Sequence, residues 1–208
     1  GDGTWNLTMM FLQLWSYRDG KNADYHEYQP SGRRYGDDGY VQPYGDSPID
    51  EVNVAESIYL QMINCAKKYV YITTPYLILD NEMTTALIIA AQSGVDVRII
   101  TPHIPDKWYV HAVTRSSYRQ LIEAGHAKMF VADDEVGVVG TANMDYRSFY
   151  LHFECGVAFF RCSVIQTVKQ DILKTMEISQ EIHPNPEERI PLLRRLGRAI
   201  LKAFAPLM

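Results

Sequence analysis

With 208 residues, 47% of them hydrophobic, the chain has enough material for one well-buried core. A formal charge of -5 argues against a generally basic nucleic-acid binder, and no nucleic-acid partner is expected. No run of about 18 apolar residues occurs, and the start Gly1-Asp2-Gly3 lacks signal-peptide character, so no membrane span is expected within the chain.

Residues 4–17 place Trp5, Leu7, Met9, Met10, Phe11, Leu12, Leu14 and Trp15 in a stretch long enough to predict a core-packed helix, with Thr4 as N-cap. Residues 18–48 are rich in Gly, Asp, Tyr, Pro and Arg without periodicity and read as a long loop or linker. Residues 51–67 have helical spacing, and the β-branched, aromatic run 69–73 reads as a buried strand ended by Thr74-Pro75-Tyr76. A helix over 81–93 is closed by Gly94, a strand follows over 95–101, and an amphipathic helix over 107–124 is stopped by Gly125. Two strands flank Asp133-Asp134, a plausible hairpin turn; residues 154–160 form a further strand, and 163–179 and 190–205 the last helices. This alternation predicts an α/β layer: a mixed, mostly parallel sheet flanked by helices. Residues 1–48 would be an N-terminal helix and linker, 49–182 the catalytic domain, and 183–208 a C-terminal amphipathic helix. Cys65, Cys155 and Cys162 have no metal-ligand spacing and sit among apolar neighbours, so they are expected as reduced, buried thiols of a cytosolic-side protein.

The chemistry concentrates in residues 125–154. Read as a strand, Gly125 to Asp133 puts His126 and Lys128 on one face, because side chains alternate with a period of two. A lone strand histidine is usually a satisfied core residue. An adjacent lysine changes that balance, since lysine is almost never buried without a reason. An imidazole beside an ammonium suits a site where a phosphate is held and attacked. The return strand brings Thr141 and Asn143, a hydroxyl and an amide, back towards His126. Asp133, at an odd offset from His126, points away and reads as a turn or scaffold residue.

His126, Lys128 and Asp133, followed by Gly140 and Asn143, resemble the phospholipase D superfamily signature His-x-Lys-x4-Asp with Gly-x-x-Asn. Thr74-Pro75-Tyr76, Gly94-Val95-Asp96-Val97-Arg98 and the run from Val138 to Phe149 with Phe153-Glu154 are similar to its bacterial cardiolipin synthase branch. The resemblance covers nearly the whole chain, as the second half of such an enzyme. It implies the phospholipase D-like fold and phosphatidyl transfer between two phosphatidylglycerol molecules through a phosphohistidine, with two alternatives: phospholipase D or phosphodiesterase/nuclease hydrolysis by a homodimer, or a non-catalytic half-domain inactive without its partner half. It implies no cofactor or metal. His126 would be nucleophile or acid, Lys128 would supply positive charge, and Thr141 and Asn143 would bond the phosphoryl oxygens. Glu154 would accept a hydrogen bond from the far nitrogen of His126. Gly140, Arg147 and Ser148 would brace the site, although a salt bridge from Arg147 to Asp133 or Asp145 is the preferred plain reading. Tyr76 would line the pocket or simply pack. Asp96 and Arg98 read as a solvated strand face.

Two anomalies accompany the motif. Gly125, a helix terminator, abuts His126, although connections normally take about 4–6 residues, so a segment is expected to be deleted or left out there; the resemblance implies one on the order of a dozen residues. The mechanism also needs two histidines, and His26, His103, His111, His152 and His183 all lack a lysine two positions later. A preceding half or a second copy of the chain must supply the other motif. The first is favoured, which places the whole protein at the cytoplasmic face of a bacterial membrane, anchored by a segment not in this chain. In the C-terminal stretch Arg194, Arg195, Arg198 and Lys202 interleave with Leu192, Leu196, Ile200 and Phe204. Such a helix fits an anionic membrane surface as well as it fits core packing.

Overall fold

In the computed structural model of the chain, residues 2–20, 24–30, 38–49, 51–102, 122–123 and 127–181 are described. Helix α1 spans Asp2–Asp19, followed by a 3-10 turn Tyr25–Tyr28 and strand β1, Tyr40–Asp46. Then come α2 (Val54–Cys65), β2 (Tyr69–Thr73), β3 (Leu77–Ile78), α3 (Asn81–Gln92) and β4 (Asp96–Thr101). The second part comprises β5 (Ile122–Glu123), β6 (Met129–Ala132), β7 (Val136–Gly140) and β8 (Met144–Asp145). It closes with α4 (Tyr146–Tyr150), β9 (Glu154–Phe160) and α5 (Val164–Glu177). Most of the helix expected over 107–124, the Gly125–His126 junction and the basic helix of 183–208 lie outside the described residues.

The main sheet has seven strands in the order β1-β9-β7-β6-β2-β4-β5, and β3 pairs with β8 in a separate two-stranded ladder. It is a mixed α/β layer, but mostly antiparallel: only β2/β4 and β4/β5 run parallel among its described pairings. The expectation of a mostly parallel sheet is corrected. Crossover helices rule the first part, but β6, β7 and β9 pair only antiparallel with their neighbours in the main sheet. Between β6 and β7 the turn is a primed one, with Asp133 at φ 53° and Asp134 at φ 63°, closed by the Glu135 N–H on the Ala132 carbonyl at 3.0 Å. Aspartate tolerates this left-handed backbone better than most residues, and the turn's twist matches that of its strands.

Four further expectations change. The stretch 18–48 contains β1, which pairs antiparallel with β9 from Tyr40↔Phe160 to Asp46↔Glu154. Its Pro43 is tolerated because β1 is an edge strand, where a missing N–H costs no ladder bond. Residues 122–123 belong to β5, beside β4, and not to the end of a helix. Helix α1 forms but buries only Leu12 fully among its large apolar side chains; Phe11, Leu14 and Trp15 are exposed. Of the cysteines, only Cys162 is buried; Cys65 and Cys155 are exposed, and all three are free thiols.

Alternation along the central strands sends Val70, Ile72, Phe130 and Val138 to one face, against Tyr59 and Ile63 of α2 and Met83 and Leu87 of α3. Tyr69, Tyr71, Val131 and Ile100 line the other face under Ile165, Val168 and Ile172 of α5. Asp46, at the end of β1, fixes α2 to the sheet: its carboxylate accepts from the Val54 N–H at 2.9 Å and the Ala55 N–H at 2.7 Å. An anion at a helix N-terminus satisfies orphan donors and complements the dipole.

Glu56, buried in the first turn of α2, is a point of stored tension. Burial first, and then its hydrogen bond to the neighbouring carboxyl of Asp80, push its carboxyl above the usual range. A folded-state value above the unfolded one means that its contribution is fullest below the unfolded value of about 4.3 and lost as pH rises. Glu56→Gln is therefore expected to raise the Tm at pH 7, with the gain over the parent shrinking towards pH 4. Thermal melts across that window check it.

Candidate active site

Lys128 immediately precedes β6, and its carbonyl accepts from the Gly140 N–H at 3.3 Å at the end of β7. The return strand thus delivers Thr141 beside Lys128. Gly140 allows this close approach: a Cβ there would lie 2.9 Å from the Cys155 carbonyl oxygen and 2.9 Å from Gly156 Cα. His126 lies outside the described residues, and with it the expected sharing of one strand face with Lys128. The regular strand begins only at Met129.

Thr141 is bound to β9 through backbone and side chain. Its N–H donates to the Cys155 carbonyl at 2.9 Å, and its Oγ1 accepts from the Cys155 N–H at 3.0 Å. The Thr141 hydroxyl donates to Oε2 of Glu154. Glu154 is almost buried, with 7% of its side chain exposed, and its Oε1 lies 3.7 Å from His152 Nδ1. His152 in turn accepts at Nε2 from the Arg147 Nε–H at 2.7 Å. Arg147 Nε thus donates to an imidazole.

Asn143 enters a second network. Its Nδ2 donates to Ser148 Oγ at 3.1 Å, and its Oδ1 is buried with no hydrogen-bond partner among the described residues. Ser148 is buried at the start of α4, and its N–H donates to Oδ1 of the N-cap Asp145 at 2.7 Å. Burial pushes the Asp145 carboxyl up, against the lowering effect of its bonds to Ser148. The arrangement fixes the Asn143 amide with its carbonyl oxygen unused. Ser148 touches Asn143, a role its sequence context left open.

Thr74 fastens this region to β2: its hydroxyl donates to the Tyr76 carbonyl at 2.8 Å and accepts from the Met144 N–H at 3.0 Å. Leu77 then pairs with Met144. Tyr76 is half-buried at the start of this ladder, a few residues from Asn143 in space.

Asp133 stands apart. It lies at the far end of β6, roughly 16 Å from Lys128 by strand rise. Its Oδ2 accepts from the Lys67 N–H at 2.6 Å and its Oδ1 from the Lys68 and Tyr69 N–H groups at 2.9 Å each. Burial would raise its carboxyl, but these three donors win and hold it below the ordinary range. Asp96 and Arg98 form a solvent-facing ion pair at 2.9 Å on the opposite side of the sheet from α2.

The local signals missed in the sequence are His152 and Asp145. His152 precedes Glu154 by two positions as the chain enters β9, and Asp145-x-x-Ser148 is a helix-start pattern. The first was set aside because it lacked a lysine at the motif spacing.

The order of strands and the pairing of β7 with β9 define a phospholipase D-like fold. The phospholipase D family member Nuc from Salmonella typhimurium superposes with a TM-score of 0.58 at 15% identity, covering 69% of this chain and 98% of that one. Phosphatidylserine synthase of Haemophilus influenzae gives a TM-score of 0.58 at 18% identity, over 80% of this chain and 45% of that one. Residues 59–176 match the family described as cardiolipin synthase, PLD-like domain, and the chain belongs to that family. An uncharacterized protein of Streptococcus mutans serotype c is 40% identical over 223 residues, spanning 100% of this chain and 48% of that protein. The cardiolipin synthase of Alkalihalophilus pseudofirmus is 34% identical over 220 residues, spanning 100% of this chain and 44% of that enzyme. The chain thus spans just under half the length of these curated relatives. Both alignments run past its 208 residues, so each relative carries positions with no counterpart here.

Proposed function

We propose that the chain is one half of a bipartite phosphatidyltransferase that makes cardiolipin and glycerol from two molecules of phosphatidylglycerol. What carries this reading is the complete motif set, His126, Lys128, Asn143 and Glu154, in a chain of the cardiolipin synthase family. The imidazole of His126 attacks phosphorus, the bond to the headgroup glycerol breaks, and an acid on the opposing half protonates the departing alkoxide. The headgroup hydroxyl of a second phosphatidylglycerol then attacks the phosphohistidine. It loses its proton to the same opposing group, and cardiolipin leaves with His126 restored. Lys128 and the Asn143 amide face charge that grows on the phosphoryl oxygens in both steps, which is where fixed donors stabilise most; the Thr141 hydroxyl, whose proton is given to Glu154, acts through that carboxylate instead. Glu154 orients His126.

The opposing group comes from a preceding half or from a second copy around a twofold axis. The substrate places the reaction at a bacterial membrane surface, on its cytoplasmic face. No helix among the described residues is long and apolar enough to cross a membrane. The arginine-rich stretch from Leu192 onward has the composition for surface contact with anionic lipid. A second reading, hydrolysis by a homodimer, is supported by the coverage of 98% of the Nuc chain, since one copy of this fold then makes up a whole solved chain.

Incubating the full-length protein, with both halves present, with vesicles of phosphatidylglycerol labelled at phosphorus tests the proposal. Acid-labile, alkali-stable label on His126, with labelled cardiolipin as product, is expected. Phosphatidic acid in place of cardiolipin would favour the hydrolytic dimer. Label on another residue, or no label at all, would defeat catalysis through His126.

A further inference from the structure

Arg147, His152, Glu154 and Thr141 form a continuous chain of polar contacts, yet the proposed reaction uses only Glu154 and Thr141. The guanidinium Nε–H can only donate, and arginine stays protonated at any relevant pH. A nitrogen held 2.7 Å from it must therefore accept, so His152 Nε2 carries no proton. The one proton of a neutral imidazole is then on Nδ1, the atom 3.7 Å from Glu154 Oε1. The opposite oxygen, Oε2, already accepts from the Thr141 hydroxyl. Glu154 is thus hydrogen-bonded at Oε2 and faces the imidazole Nδ1 with Oε1 at 3.7 Å, beyond hydrogen-bond distance, in surroundings that leave 7% of its side chain exposed, where a carboxylate without donors is costly.

We propose that His152 is a positioning residue for Glu154: Arg147 selects the imidazole tautomer, and the Nδ1–H faces the carboxylate and stops it swinging away from the site. The second imidazole touches no substrate in this scheme. It rests on the reading of Glu154 as the partner of His126. Among the described residues, the charged groups around His152 are Arg147 and Asp145 on α4 and its N-cap, together with Glu154 on β9.

Nitrogen-15 NMR of the histidine-labelled chain tests the tautomer without any need for activity. The expected signature is a protonated Nδ1 and an unprotonated Nε2 for His152, reverting to the commoner Nε2–H form in Arg147→Met. A wild-type His152 protonated at Nε2 overturns the proposal, whatever the enzyme does. In vesicle assays, His152→Phe, which keeps the ring and loses both nitrogens, is expected to lower kcat about tenfold with KM within about twofold. His152→Asn, whose amide can still donate from the Nδ1 side, is expected to recover kcat to within about threefold. Equal losses in both variants, or a loss carried by KM, would also overturn it. Should the wild type have no activity with both halves present, the proposed reaction fails while the NMR result still decides the tautomer.

Discussion

Replacing His126 with alanine is expected to lower cardiolipin formation from phosphatidylglycerol vesicles by at least about a thousandfold and to abolish the phosphorus label on the protein. A positioned acid or base alone is worth roughly 10²–10⁴ in rate, and the loss of a covalent nucleophile removes the two-step route as well. Lys128→Ala should cost less, on the order of a hundredfold, because in the proposed reaction the Asn143 amide would still donate to the phosphoryl oxygens. The melting temperature of the Lys128 variant should stay close to the parent's, since Lys128 is only half-buried and its described hydrogen bond, from Gly140, is through its main chain. Retention of label in His126→Ala would move the nucleophile elsewhere and remove the basis of the functional reading.

Asp133→Ala is expected to act in the opposite way, on stability and not on chemistry. Three backbone donors at the entry to β2, from Lys67, Lys68 and Tyr69, lose their acceptor at once, and alanine is poorly suited to φ 53°. Charge-assisted bonds contribute roughly 1.5–3 kcal/mol each, discounted here because solvent can reach part of the site, so a net loss of about 2–4 kcal/mol is expected. For a chain of this size that lowers the Tm by roughly 10 °C. Asp133→Asn, which tolerates the left-handed backbone and keeps one acceptor, should lose about half as much. The carboxyl sits below its unfolded value of about 3.9, so its contribution is present above that pH and disappears as pH falls through the folded-state value. The difference between parent and variant should therefore shrink in acid. A Tm unchanged in Asp133→Ala at pH 7 would contradict the scaffold role.

The two variants separate a motif that is contiguous in sequence. His126, Lys128 and Asp133 fall within eight residues, but a four-residue strand puts the aspartate at the end of the sheet away from Thr141 and Glu154. Its odd offset from His126 was enough to mark it as scaffold. The donors it serves, some 65 residues earlier in the chain, were not legible, because nothing local in either stretch records the other. The same holds for Asp46: no helical or strand pattern in residues 18–48 marks a carboxylate that caps α2.

By itself the sequence determined the motif, the family resemblance and most elements: β2, α3, β4, the β6–β7 hairpin, β9 and α5 follow from local periodicity and turn residues. It did not determine sheet direction, because strand and helix alternation is compatible with parallel and antiparallel pairing, and only long-range ladders choose between them. The sheet edge at β1 and the strand at β5 were likewise decided by partners, Phe160 and Ile100, distant in the chain. So was the surrounding of Glu154, where tertiary packing set Thr141 on one oxygen and an unregarded histidine near the other. Backbone pattern is written within a few residues, whereas the partners of a buried charge are set by whichever elements the fold brings together.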